Sequence, residues 1–149
     1  YILAKSLLLN QNSGQAIEEF KRLTKAKNPE YAAEAQYVLA EIAFNSGKIE
    51  ESEKMIHQIN ANPSSEYWLA KTFVLWADIF KSKGNTIQAK QTLQSIIDNY
   101  EGDEELIELA KQKLISLTDE ETKTLQETED KRQEQQEAVD EIIIEDAEQ

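Results

Sequence analysis

Small residues recur through this chain at a spacing that leaves few folds open. Ala4, Ala40 and Ala77 are separated by 36 and 37 residues, and Ala16, Ser52 and Ala89 by the same two steps. Phe20, Ile56 and Leu93 keep that register, as do Leu23, Ile59 and Ile96, and Leu3, Leu39 and Trp76. A repeat of about 20 to 50 residues signals an array of supersecondary units, each burying its apolar side against a neighbour. Within the units apolar residues recur at three and four, the helical period, and β-branched alternation is missing outside Ile142–Ile144. The body is therefore expected to be all-α.

The small residues have a steric reason. Antiparallel helices come within about 8–10 Å of each other only where side chains are short. Each Ala or Ser column then marks a crossing, and Phe, Ile, Leu or Trp one turn away fills the flanks. All four glycines (14, 47, 84, 102) and both prolines (29, 63) lie before residue 103 and punctuate segments of helical length. The spacing predicts helices over about 1–10, 14–26, 30–46, 49–60, 65–83, 86–99 and 103–117. The stretch YWLAKTFVLWADIF, residues 67–80, is too charged for a membrane span, which needs about 20 nearly uncharged apolar residues. It reads as a central helix packed on most sides, with Trp76 and Ala77 inward and Lys71 and Asp78 on the open stripe.

Ala40, Gly47 and Ser52 in one unit, and Ala77, Gly84 and Ala89 in the next, resemble the tetratricopeptide repeat family: a small residue on a first helix, a turn Gly, and a second small residue on the partner helix. The first unit keeps Ala4 and Ala16 but has Gln11 at the turn, and the period exceeds the family's 34 or so residues, marking a degenerate variant. The resemblance implies a right-handed superhelical stack of antiparallel helix pairs: three TPR-like units over residues 1–102, a capping helix over 103–117, and an acidic tail over 118–149, helical or disordered. The run from YWLAK to QAKQTLQSIIDNY also resembles the closing repeats of large TPR proteins of the Gram-negative envelope, which implies an envelope or periplasmic setting and an assembly role. Opening at Tyr1 without Met, the chain reads as a piece of a longer protein with no secretory leader in YILAKSLLL.

In that family the first helices line a concave groove. Carried onto this register, the groove positions are Lys5 and Leu8, then Glu34, Tyr37, Glu41, Phe44 and Asn45, then Lys71, Val74, Asp78 and Lys81. Mixed charge around aromatic residues suits a segment of another protein; the competing expectation is an ordinary solvated face. The carboxylate clamp that some family members use for chaperone tails is not reproduced, since its positions hold Tyr1, Lys5, Val38, Lys71 and Leu75, of which Lys71 alone fits.

Leu106, Ile107, Ala110, Leu114 and Leu117 form one apolar helix face suited to capping the last repeat. Beyond it, Leu125 is the one large apolar residue from 118 to 137, so no coiled-coil heptad exists. At the end, Val139, Ile142, Ile143 and Ile144 are bracketed by acids; three adjacent β-branched residues favour an extended strand and make this a candidate recognition segment.

Charge excludes some partners. The net −13 disfavours nucleic acid and anionic membrane, both of which attract Lys and Arg. Thirteen acids against Lys123, Lys131 and Arg132 place −10 of it in residues 118–149 and leave −3 for the body. With no Cys, thiol catalysis, disulfides and thiolate metal sites are excluded. His57, the single histidine, has no companion for a metal site and reads as structural, and no nucleophile–base–orienter constellation or phosphate loop is present. The expectation is a non-catalytic, cofactor-free and metal-free module that binds another protein or the rest of its parent chain. The alternative is a structural spacer or self-association element, a homo-oligomer driven by Leu3, Leu7 and Leu8.

Overall fold

The computed structural model describes residues 2, 4, 5 and 13–147, with side chains to residue 138. It is all-helical, with no strand among the described residues. Six helices are named in chain order: α1 Ser13–Leu23, α2 Pro29–Asn45, α3 Ile49–Ala61, α4 Glu66–Ser82, α5 Thr86–Asn99 and α6 Glu104–Ala147. Two compact units divide the chain at 112/113, within α6.

In the first unit α2 packs most closely with α3, and α4 with α5; α2 also touches α1 and α4, and α3 touches α4. The repeat columns are the contact points. Ala4, Ala40 and Ala77 are 1%, 0% and 2% exposed, and Ala16, Ser52 and Ala89 are each 0%, which is the close approach that short side chains permit. Phe20, Ile56 and Leu93 are buried beside them, as are Ile59 and Ile96. Each large apolar side chain so buried contributes about 1.5–3 kcal/mol.

The turns of the two inner pairs are copies of each other at an offset of 37. At the end of α2 the N–H groups of Ser46, Gly47 and Lys48 donate to the carbonyls of Ile42, Phe44 and Ala43 at 2.9–3.0 Å. At the end of α4 those of Lys83, Gly84 and Asn85 donate to Ile79, Lys81 and Phe80 at 2.8–3.1 Å. Gly47 and Gly84 both sit at φ +75°, the left-handed conformation that glycine adopts without a Cβ clash and that closes helix ends in this way. At the start of α2, Asn28 Oδ1 accepts from the Glu30 N–H at 2.9 Å and Pro29 occupies the first turn, where its missing N–H is harmless.

The entry to α6 is built differently. Tyr100 folds back so that its hydroxyl accepts from the Asp103 N–H at 3.0 Å, and Asp103 Oδ1 accepts from Leu106 N–H at 2.8 Å. A side chain on Gly102 would collide with the Tyr100 ring. Leu106 and Ala110 are buried, Ile107 half-buried and Leu109 exposed.

The second unit corrects one expectation. The tail over 118–149, expected to be helical or disordered, continues α6 to Ala147, and the backbone over Val139 and Ile142–Ile144 is helical, not extended. A lone strand leaves its backbone groups without partners, whereas a run free of Gly and Pro and rich in Glu, Gln and Ala satisfies them through its own i→i−4 ladder. Threonine hydroxyls add to that ladder: Thr118, Thr122, Thr124 and Thr128 donate to the carbonyls four residues earlier at 2.8–2.9 Å. The side chains of the proposed recognition segment lie outside the described residues, as do Leu3, Leu7, Leu8 and Gln11.

Candidate functional site

Side chains of α2 and α4 converge on one surface cluster. Tyr67 and Trp68 precede Lys71 by four and three residues, spacings that share a helix face. The Lys71 ammonium lies 5.1 Å from the Trp68 ring centroid and 5.9 Å from that of Tyr67. Because α2 packs on α4, it is also 5.1 Å from the ring of Tyr37, whose centroid is 5.4 Å from that of Trp68. Tyr67 meets Trp68 edge-on at 5.0 Å. Three rings therefore offer their electron-rich faces to one cation, an arrangement worth about 0.5–2 kcal/mol per contact.

Two carboxylates of α2 take part in bonds beside the cluster. Tyr37 donates its hydroxyl to Glu41 at 2.5 Å, and Glu34 pairs with Lys5 at 2.8 Å. Burial, then the bond to Glu41, then the charges of Glu41 and Asp78, push the Tyr37 phenol far above its ordinary value of 10.0. Burial, followed by the charges of Asp103, Glu105 and Glu34, raises Tyr67 as well.

The groove residues expected from sequence fall into three groups. Lys71, Glu41, Asp78 and Phe44 are half-buried, and Lys5, Asn45 and Lys81 are exposed. Glu34, Tyr37 and Val74, expected on the open face, are 7%, 6% and 6% exposed, because the packing of α2 beside α4 covers what a single helix would leave open. Tyr67 and Trp68 join the cluster without having been assigned to the site. Their i−4 and i−3 spacing from Lys71 is the signal that carries them.

A second aromatic surface lies elsewhere on α4. Trp76 stacks on Phe80 at 5.5 Å and tilts against Phe73 at 6.0 Å, and His57, exposed on α3, meets Trp76 edge-on at 5.0 Å. Phe73, Trp76 and Phe80 form one wall of a cleft of about 320 Å³, and Gln88, Gln91, Thr92 and Ser95 of α5 form the other. Shifted back by 37, Gln36, Leu39, Met55 and Gln58 line a smaller cleft of about 200 Å³ between α2 and α3. His57 thus acts in aromatic packing.

Among the described residues no group of three His, Cys, Asp or Glu side chains converges as a metal site, and no helix is long and apolar enough to cross a membrane. Comparison with family models and with curated protein sequences returned no match.

Proposed function

We propose that the chain is a non-catalytic protein-binding module of TPR type, three helix pairs in a right-handed superhelical stack, and that the first-helix face of α2 and α4 holds a segment of another protein or of a longer parent chain. The observation that carries this reading is the convergence of Lys71 with the rings of Tyr37, Tyr67 and Trp68, beside the Glu41 carboxylate that holds the Tyr37 hydroxyl. Trp and Tyr side chains are enriched among the few residues that carry most of the binding energy of a protein interface. The 37-residue recurrence of helix-end hydrogen bonds supports the family resemblance.

The test is affinity capture with the full chain as bait beside a charge swap, Asp78→Lys with Lys81→Glu. Asp78 is half-buried and Lys81 exposed, so helicity by circular dichroism should be kept. Substituting Tyr37 would be a poor choice because it belongs to the core. A specific partner whose recovery drops about tenfold or more with the swap supports the face, since one well-placed contact is worth that factor. Equal recovery with both baits removes it, and recovery of the bait alone favours a spacer or self-associating element.

A further inference from the structure

The cluster at Lys71 already contains a bound cation, its own. An ammonium faces three aromatic rings, the Glu41 carboxylate accepts the hydroxyl of one of them, Tyr37, and Glu34 on the same helix is already paired with a second cation, Lys5. Ring faces and carboxylates share one preference, for positive charge, and neither prefers an anion. A partner entering this face would therefore meet a pocket selected for a cation and filled by a side chain on a flexible four-carbon stem.

We infer that the Tyr37–Tyr67–Trp68 box recognises a Lys or Arg side chain of the partner segment, and that Lys71 is an internal surrogate which withdraws when that side chain enters. This rests on the proposed protein-binding face and specifies the chemistry of what the face takes. Self-occupancy has a defined consequence: apparent affinity falls by the fraction of molecules whose box is open. Lys71 thereby limits binding of lone cations and leaves entry to a segment that makes further contacts along the helices.

The experiment uses the full chain carrying Trp76→Phe, so that Trp68 is the one indole reporter. It is titrated with tetramethylammonium chloride and with the blocked tripeptide acetyl-Gly-Lys-Gly-amide; sodium chloride and acetyl-Gly-Glu-Gly-amide at equal ionic strength serve as controls. Adding Lys71→Ala should tighten binding of both cationic probes by about tenfold, the size of a displaced cation–π contact. Adding Tyr67→Leu to that variant should take most of the gain away, with circular dichroism showing both folded. The inference is overturned if Lys71→Ala binds the cations no better than the parent, if the Glu peptide binds equally well, or if Tyr67→Leu changes nothing. A partner lost with the charge-swap bait while Lys71→Ala ignores both cations would keep the binding face and remove its specificity for positive charge. Cation binding in Lys71→Ala without any swap-sensitive partner would keep the box and remove the proposed protein-binding role.

Discussion

The pair α2–α3 and the pair α4–α5 share one backbone plan and fill it with different side chains. Their crossings, glycine turns and helix-end hydrogen bonds superimpose at 37 residues. Yet Gln36 and Leu39 become Phe73 and Trp76, Tyr37 becomes Val74, and Glu34 becomes Lys71. The cleft lined by Gln36 and Leu39 measures about 200 Å³ and the one lined by Phe73 and Trp76 about 320 Å³. The lesson is a division of labour: short side chains and turn glycines set the geometry, while flanking positions vary and give each pair its own surface.

That division can be broken most forcefully at Ile56 and its counterpart Leu93, 0% and 1% exposed. Truncating either to Ala should cost about 2–5 kcal/mol by urea unfolding, with similar values for the two. A difference larger than that whole range would show that the pairs are not energetic equivalents.

Next in size, Gly47→Ala and Gly84→Ala each place a Cβ at φ +75° with open space around it, so the penalty is conformational, about 1–2 kcal/mol at both positions. Unequal penalties in the same unfolding measurement would contradict the identity of the two turns.

Alkaline pH separates the pairs, because Tyr37 is matched by Val74. Its phenol has a folded-state value raised above the ordinary 10.0, so the associated stability is complete below pH 10 and drains as the unfolded chain ionises at higher pH. The loss is up to about 1.4 kcal/mol per pH unit. Tyr37→Phe should flatten this dependence between pH 10 and 11; an unchanged slope would assign the alkaline loss to other groups.

Ser52→Ala sharpens the comparison at a finer scale. The Ser52 hydroxyl, fully buried, donates to the Ala40 carbonyl at 2.8 Å, whereas the equivalent position holds Ala89. The substitution should cost about 0.5–1.5 kcal/mol, and the reverse change Ala89→Ser should be close to neutral if its hydroxyl finds Ala77 in the same way. Smallest of all is Lys83→Ala, which removes an ion pair to Glu53 at 2.8 Å with Lys83 46% exposed. Less than about 1 kcal/mol, fading in salt, is expected there; a larger effect would make this link between α3 and the end of α4 a fastening of the two pairs.

The candidate site was readable in part. Lys71, Asp78, Tyr37 and Glu41 were accessible to register arithmetic, since first-helix positions repeat at a fixed step. The roles of Tyr67 and Trp68 were obscured because aromatic residues in an apolar helix read as packing. Their place in a three-ring cluster follows only when the Tyr37 ring of the neighbouring helix is brought to 5.4 Å from Trp68.

By itself the sequence determined the helical class, the 37-residue repeat, the small-residue crossings and the glycine turns. Each is a local or periodic consequence of side-chain size and backbone freedom. Tertiary structure alone decided that Glu34, Tyr37 and Val74 are buried and that the Tyr37 ring joins those of Tyr67 and Trp68 around one ammonium, because both depend on distances between residues far apart in the chain. The tail shows the same limit from the other side. Ile142–Ile144 carry strand propensity, but a strand requires a partner to take up its backbone hydrogen bonds, and a helix supplies them from within.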